Sequence, residues 1–294
     1  MVYPIKRARK TVLKLFVMAL FTVFSMASYS AHHEEKLIKL YQVNSGIIEM
    51  DKGYLTAMRD VGTIIKVPVA MYIIDHPKGL VLYDTGTNVA IADGNCANYW
   101  GEGLCAAFHG KQTRDEVIDR WLEKFGYSVS DVKYVVTSHM HLDHGGNTEM
   151  FPDATHVVQK AEMRAAWWPE RFQRAAFVLG DYDDARDFNY FELEGDFDLF
   201  GDGTMIVLET KGHTQGHQSL MVKLKNTGTL LLAGDAVYTP ENENGVTPGI
   251  TWSTNESMKS IDRLKMIRDR EQGEIWYSHG RAQFNSHKHD SAYD

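Results

Sequence analysis

Residues 139–144 (HMHLDH) carry three histidines and one aspartate within six positions. Imidazole nitrogens and carboxylate oxygens are the usual ligands of zinc and similar divalent ions. His139 and His141 are two residues apart, so in an extended loop their side chains point to the same side. Asp143 and His144 then turn towards a neighbouring point. The run therefore predicts ligands for two metal ions, against the alternative of a solvated loop in a chain with 13 histidines.

Three further polar residues follow apolar runs, at positions typical of strand ends. His213 follows the run MIVL, Asp235 ends the run LLLAG, and His279 closes the run IWYS. Burying a lone carboxylate or imidazole there costs several kcal/mol unless the group is paired or bound to a metal. Each position alone also fits a core histidine or a turn aspartate. Together with the first run, the three positions favour a metal site.

The order of these residues resembles that of the dinuclear metallo-β-lactamase superfamily. It consists of the HxHxDH run, then a histidine, an aspartate and a last histidine. Within that superfamily the chain is most similar to the quorum-quenching N-acyl-homoserine-lactone lactonases, over about residues 36–281. Tyr238, three residues after Asp235, is a mark of these lactonases. The other matching stretches are Met50-Asp51, Val67-Pro68-Val69, residues 82–86, residues 212–219 and residues 234–242.

The resemblance implies two divalent metal ions per chain, with zinc as the expected metal. It implies these ligands: His139, His141 and His213 for the first ion, Asp143, His144 and His279 for the second, and Asp235 as a bridge. Two such ions hold a hydroxide between them, because metal binding lowers the pKa of water to about 7. The implied reaction is attack of this hydroxide on the carbonyl carbon of an acyl-homoserine lactone.

Two side chains receive catalytic roles from the same resemblance. Asp143 would carry a proton to the ring oxygen that leaves. Tyr238 would donate a hydrogen bond to the developing oxyanion, and the alternative for Tyr238 is a wall aromatic with its hydroxyl in solvent. His217 could hold a ligand in place or serve as a structural histidine. Candidates for an apolar acyl-chain wall, each of which also fits a plain core position, are Met50, Met140, Leu142, Trp167 and Trp168.

Two other classes of function stay open. The same metal platform serves thioesterases, phosphodiesterases and β-lactamases. A glyoxalase-type thioesterase has a helical C-terminal extension, yet only fifteen residues follow His279. Typical metallo-β-lactamases carry cysteine where this chain has Asp235. A non-enzymatic periplasmic zinc binder needs saturated coordination, whereas seven ligands over two ions leave positions open for water and substrate.

The elements that must position these residues are strands interleaved with helices. Thr113 and Glu116 form a capping-box pattern at the start of one predicted helix. Strands are predicted at 67–75, 80–84, 134–137, 204–210, 219–225 and 229–233, with a hairpin turn at 226–228, and helices at 113–125, 160–168 and 255–270. Two blocks, before and after about residue 195, predict an α/β fold of two mixed sheets packed face to face with outer helices. The resemblance implies the same αββα sandwich, with the ligands at strand ends on one edge.

Length and composition fit one enzyme domain. The chain has 294 residues, of which 44% are hydrophobic and 24% charged, which is ordinary globular composition. A formal net charge of −8 argues against a nucleic-acid surface, which needs a basic stripe. The sequence predicts a single catalytic domain over residues 31–294 that acts on a small molecule, alone or as a homodimer.

The first thirty residues predict a cleavable signal peptide. Four basic residues within positions 6–10 precede an apolar run of twelve residues at 15–26. Ser28 and Ser30 have the spacing that signal peptidase prefers, which places cleavage before Ala31. The run is shorter than the roughly twenty residues of a transmembrane helix, although an uncleaved anchor is an alternative. We expect a periplasmic or secreted protein without a stable membrane anchor after cleavage.

The only two cysteines, Cys96 and Cys105, lie nine positions apart in a glycine-rich stretch. An oxidising compartment would allow a disulfide between them, and two free thiols are the alternative. No histidine or second cysteine pair accompanies them at a zinc-site spacing. The metal prediction therefore does not involve them.

Overall fold

Two β-sheets form the centre of the fold in the computed structural model, which describes Met1 and residues Lys36–Asp294. The predicted signal peptide lies outside the described residues. Within the described part of the chain, no helix has both the length and the apolar composition needed to cross a membrane.

The first sheet has six strands in chain order, antiparallel for the first three and parallel from the third to the sixth. The strands are β1 (Lys39–Asp51), β2 (Ile64–His76), β3 (Gly79–Tyr83), β4 (Val132–Val136), β5 (Thr155–Gln159) and β6 (Asn189–Leu193). β1 was not predicted from the sequence. Polar residues interrupt its apolar alternation, and the pairing with β2 shifts register between Asn44 and Ile47.

The second sheet has five strands in the spatial order β11-β10-β9-β8-β7. They are β7 (Phe197–Asp198), β8 (Met205–Glu209), β9 (Gln218–Leu224), β10 (Gly228–Leu232) and β11 (Glu274–Trp276). The first sheet ends at Leu193 and the second begins at Phe197, so the predicted division near residue 195 is confirmed.

Seven α-helices flank or connect these strands in the described part of the chain. They are α1 (Cys96–Trp100), α2 (Glu102–Phe108), α3 (Ile118–Lys124), α4 (Lys160–Trp167), α5 (Pro240–Glu243), α6 (Thr254–Glu271) and α7 (Arg281–Ser286). In α6, Ile261, Leu264 and Ile267 recur at helical spacing and are buried against the second sheet. The Ser253 side chain caps this helix by accepting a hydrogen bond from the amide of Glu256.

The prediction of one continuous helix over 113–125 is wrong. The capping box of Thr113 and Glu116 is present, but it closes a short 3-10 turn at Arg114–Glu116. Val117 then has extended backbone angles (φ −75°, ψ 146°), and α3 begins at the next residue. Val117 is completely buried. Tertiary packing of this side chain therefore overrides the helical pattern of the sequence.

The main core lies between the two sheets. Buried residues of the first sheet, such as Val81 and Val136, pack against Leu220 and Leu232 of the second. A second cluster joins Ile118 of α3 to the outer face of the first sheet. With α6 on the outer face of the second sheet, the layers are helix, sheet, sheet, helix. The predicted αββα sandwich is confirmed.

A disulfide joins Cys96 of α1 to Cys105 of α2. The two short helices follow one another with only Gly101 between them. The structure thus contains the disulfide rather than the two free thiols that the sequence left open.

Candidate metal centre

All seven predicted ligands lie in loops that begin where strands end. The loop after β4 carries the HxHxDH run, and the segments after β8, β10 and β11 carry His213, Asp235 and His279. β8 and β10 both run antiparallel to β9, and β11 runs parallel to β10, so these three strands end at the same edge. Each of the seven side chains is buried. The edge of the sandwich therefore gathers them around one point.

A first group consists of His139, His141 and His213. Nε2 of His213 lies 2.9 Å from Nε2 of His139 and 2.8 Å from Nδ1 of His141. Burial lowers the pKa of His139 and His141 well below the usual value and lowers that of His213. The lowered pKa values favour the neutral imidazole, which is the form that binds metal ions.

Hydrogen bonds on the far side of two of these rings decide which nitrogen carries the proton. Nδ1 of His213 donates to the carbonyl oxygen of Ile250 over 2.9 Å. Nδ1 of His139 lies 3.0 Å from Oγ of Ser138, whose own proton goes to Asp84. Both Nε2 atoms consequently present bare lone pairs to each other at 2.9 Å. Such a contact is repulsive without a cation, so these residues fit a metal ion.

A second group consists of Asp143, His144 and His279. Oδ2 of Asp143 lies 3.6 Å from Nε2 of His144 and 3.5 Å from Nε2 of His279. Nδ1 of His279 donates to the carbonyl oxygen of Pro68 over 2.9 Å, which turns Nε2 towards the site. Burial lowers the pKa of His144, but the charges of Asp235 and Asp143 outweigh burial and raise this pKa well above its usual value. These carboxylates would stabilise a divalent cation in the same way.

Asp235 lies between the two groups and presents one carboxylate oxygen to each. Its Oδ2 atom lies 3.4 Å from Nε2 of His213, and its Oδ1 atom lies 3.3 Å from Nε2 of both His144 and His279. Burial raises the pKa of Asp235, but the nearby histidines outweigh burial and lower this pKa well below its usual value. Among the described residues, neither Oδ1 of Asp235 nor Nε2 of His144 has a hydrogen-bond partner. Buried polar atoms are normally paired, so both atoms fit direct metal ligation.

Asp84 is a residue of the site to which sequence reasoning gave no role. It follows β3 with a left-handed backbone (φ +63°), a conformation that aspartate tolerates better than most residues. Its carboxylate accepts hydrogen bonds from the amide and hydroxyl of Ser138 and from Nδ1 of His144, at 2.6, 2.8 and 2.8 Å. The signal was present, because Asp84 directly follows the apolar run LVLY as Asp235 follows its own run.

Tyr238 is buried beside the first group. Its hydroxyl lies 2.7 Å from Nδ1 of His213 and donates to the carbonyl oxygen of Ile250 over 2.9 Å. Burial, and then the charge of Asp235, raises the pKa of this hydroxyl well above 10, so it remains a proton donor. Tyr238 also lines a small cavity that contains Asp143, His213, Asp235 and His279. The hydroxyl is therefore not in bulk solvent.

The same cavity has an apolar wall that sequence reasoning identified only in part. Met50 and Leu142 line it, as predicted. Met140 packs instead with the alanines of α4, Trp167 packs beside Tyr182, and Trp168 is 75% exposed. The other apolar lining residues are Ile48, Leu55, Phe108, Ala176 and Ile250.

His217 lies beside the first group. Its ring centre lies 5.2 Å from that of His139, and its Nδ1 atom lies 2.9 Å from the hydroxyl of Thr210. It is not part of the three groups of side chains that could hold an ion in the described part of the chain. Its position fits a supporting role for the loop that carries His213.

Comparison with known proteins gives consistent matches. The family model described as "Metallo-beta-lactamase superfamily" matches residues 64–271. The N-acyl homoserine lactonase AttM of Azorhizobium caulinodans is 33% identical over 246 residues, which cover 82% of this chain and 93% of that protein. An N-acyl homoserine lactonase of Bacillus cereus is 30% identical over 243 residues, covering 82% of this chain and 92% of the relative.

Solved structures give the same picture. A structure of N-acyl homoserine lactone hydrolase, with the product N-hexanoyl-L-homoserine bound at its catalytic metal center, has a TM-score of 0.76 to this chain. It is 28% identical, and the match covers 86% of this chain and 97% of that structure. A Bacillus thuringiensis AiiA variant with N-decanoyl-L-homoserine in its active site has the same TM-score, identity and coverage.

Proposed function

The chain belongs to the metallo-β-lactamase superfamily, and from this premise we propose that it opens the lactone ring of N-acyl-homoserine lactones. The observation that carries the proposal is the placement of Asp235, with one carboxylate oxygen facing each group of ligands. Its relatives named as N-acyl homoserine lactonases match almost over their whole length. The biological effect would be quorum quenching.

The proposed metal centre contains two divalent ions. His139, His141 and His213 would hold one, Asp143, His144 and His279 would hold the other, and Asp235 would bridge them. Nitrogen and carboxylate ligands without cysteine or methionine suit zinc. When bound, such ions would lower the pKa of a water molecule at the site and polarise the carbonyl oxygen of the substrate.

Two side chains complete the proposed reaction. Hydrolysis forms a bond from the water oxygen to the carbonyl carbon and breaks the bond from that carbon to the ring oxygen. The proton of the attacking water must reach the departing oxygen. Asp143 lies at the cavity between His144 and His279, where its carboxylate can carry this proton. Tyr238 would donate a hydrogen bond to the oxyanion.

The lining of the cavity supports a substrate with an apolar acyl chain. Seven apolar side chains line it together with the ligands, among them Ile48, Met50, Leu55, Phe108 and Leu142. An acyl chain attached to the lactone through an amide would bury apolar surface against this wall, at about 0.8 kcal/mol per methylene group. The same wall would keep bulk water away from the reacting carbonyl.

The decisive experiment is a side-by-side turnover assay on the purified protein. An acyl-homoserine lactone, a thioester, a phosphodiester and a β-lactam are compared at equal enzyme concentration, with elemental analysis of the same sample. We expect the lactone to have the highest kcat/KM, two divalent ions per chain, and loss of activity on chelation that zinc restores. Faster turnover of another substrate class would replace the proposed reaction, and one ion per active chain would exclude the dinuclear centre.

A further inference from the structure

Glu162 in α4 is a completely buried carboxyl group outside the ligand set. Three hydrogen-bond donors point at it: the amide of Met140 at 2.9 Å, the hydroxyl of Thr214 at 2.6 Å and the amide of Gly216 at 3.1 Å. No cation of the described residues lies within ion-pair distance of it. Burial raises its pKa to about 7, while the three hydrogen bonds act in the opposite direction. A buried carboxyl without a counter-ion is costly, so a compensating role is expected.

The partners of Glu162 belong to two separate ligand loops. Met140 stands between His139 and His141, and its amide binds one carboxylate oxygen. Thr214 follows His213 directly, and Thr214 and Gly216 bind the other oxygen. One side chain on α4 therefore joins the loop after β4 to the loop after β8. These are the two loops that supply the first group of ligands.

The close approach of the second loop to α4 depends on Gly216. A Cβ atom added at this glycine would lie 2.1 Å from the backbone nitrogen of Glu162 and 2.6 Å from its Cα. Backbone atoms of a helix cannot move aside cheaply at such distances. The glycine thus lets the loop pack directly on the first turn of α4, where the carboxylate of Glu162 can reach it.

The second group of ligands has different supports. His144 is held by Asp84, and His279 is held by the carbonyl oxygen of Pro68. Glu162 makes hydrogen bonds to neither of these histidines. Glu162 therefore contacts backbone and side-chain donors beside ligands of the first group only, whereas Asp84 reaches His144 directly and His139 through Ser138.

We propose that Glu162 is a positioning residue for one metal position only, the one formed by His139, His141 and His213. The inference rests on the proposed metal centre. By joining the two loops before any ion binds, the carboxylate keeps the three imidazoles gathered around one point. Removing such a support outside the ligand shell costs about 10- to 100-fold in metal affinity.

The main test measures the affinity of both positions in the full chain. Zinc is titrated into metal-free protein in competition with a chromophoric chelator, for the wild type, Glu162→Gln and Glu162→Ala. Gln keeps the shape, but its amide group must point at one of the donors that the carboxylate accepts. We expect one of two binding events to weaken by about 10- to 100-fold and the other to keep its wild-type affinity. Equal weakening of both events, or of neither, would overturn the inference.

A second measurement does not depend on bound metal. Hydrogen exchange of the metal-free variants should show faster exchange of the Met140 and Gly216 amides, while the amide of His279 keeps its wild-type rate. Thr214→Val removes only the hydroxyl donor and provides a milder variant if Glu162→Ala fails to fold. Unchanged exchange at both amides in the Gln variant would also overturn the inference.

Two control variants separate positioning from general instability. Arg164→Ala changes an exposed residue of the same helix, and Leu122→Ala removes core packing in the cluster outside the first sheet. Both variants should bind two zinc ions with wild-type affinities. A selective loss of affinity at one metal position in Leu122→Ala would overturn the specific role of Glu162. If the wild type itself binds no metal, the proposed function fails. If it binds two ions and the Glu162 variants do the same with equal affinity, only the inference fails.

Discussion

Asp84 accepts a hydrogen bond from Nδ1 of His144 over 2.8 Å, and this bond turns the other ring nitrogen towards Asp143 and Asp235. Both residues of the pair are buried. A carboxylate that accepts from the remote nitrogen fixes the tautomer and the orientation of a metal-binding imidazole. The site thus depends on a residue that would touch no metal ion.

We predict that Asp84→Asn lowers metal affinity or kcat/KM by about 10- to 100-fold. The amide can accept with one oxygen, but its nitrogen must then face a donor of Ser138 or of His144. Zinc titration and lactone turnover measure the effect. Asp119→Asn is the matched control, because that aspartate pairs with Arg114 in the outer helical layer. A wild-type zinc affinity and turnover in Asp84→Asn would contradict the role assigned to this hydrogen bond.

Asp235→Asn should lose metal and activity together. The amide is neutral and has one oxygen, whereas the carboxylate presents Oδ1 to His144 and Oδ2 to His213. We expect elemental analysis to find less than the two ions of the wild type and turnover to fall to background. An Asn variant that retains two ions and wild-type turnover would show that Asp235 does not bridge.

Tyr238→Phe should lower kcat at full metal content, with a smaller effect on KM. Loss of one oxyanion donor costs about 10- to 1000-fold, and we expect the low end because a metal ion shares the task. Tyr182→Phe is the control, since that buried hydroxyl donates to the carbonyl of Ala166 away from the cavity. Unchanged turnover in Tyr238→Phe with two ions bound would leave this tyrosine as a wall residue only.

The stability of the protein should fall as the pH drops from about 6.5 to about 4, in part because of His287. Burial, and then the charge of His289, lowers the pKa of His287 from 6.5 to about 4. Its ring lies 4.1 Å from that of Trp276, and its Nδ1 donates to the side chain of Gln42. In this window the unfolded chain binds a proton that the folded chain excludes, so protonation favours unfolding. The stability associated with neutral His287 is fully present above pH 6.5.

His287→Phe tests this linkage. The aromatic ring can still pack on Trp276 but does not titrate. Midpoints of urea unfolding are compared for metal-free wild type and variant between pH 4 and pH 8. The stability difference between the two proteins should shift in favour of the variant below pH 6.5. A difference that stays constant over the whole range would refute the linkage.

We predict export with removal of the first thirty residues. Fractionation should place a chain that begins at Ala31 in the periplasm or the medium, while a variant without residues 2–30 stays in the cytoplasm. Mass spectrometry of the exported protein decides between cleavage and an anchor. An exported chain that retains its basic first ten residues would refute the signal-peptide prediction.

The identity of the ligands could be read from the sequence because metal chemistry restricts the residue types. His139, His141, Asp143 and His144 are neighbours in the chain, so local spacing was enough to group them. His213, Asp235 and His279 were recognisable since a polar residue shortly after a buried apolar run needs a partner. The division into two sheets near residue 195 followed from the order of strands and helices alone.

Only the tertiary structure determined which residues hold the ligand loops in place. Glu162 and Asp84 are separated from the loops they bind by about 20 to 60 positions in the chain, and hydrogen bonds at that distance leave no periodic signal. The same limit explains Val117, whose burial breaks a helix that local pattern favoured. It also explains why Leu142 lines the cavity while Trp168 is exposed. Apolar character predicts burial in general, but only the packed neighbours determine which surface a side chain faces.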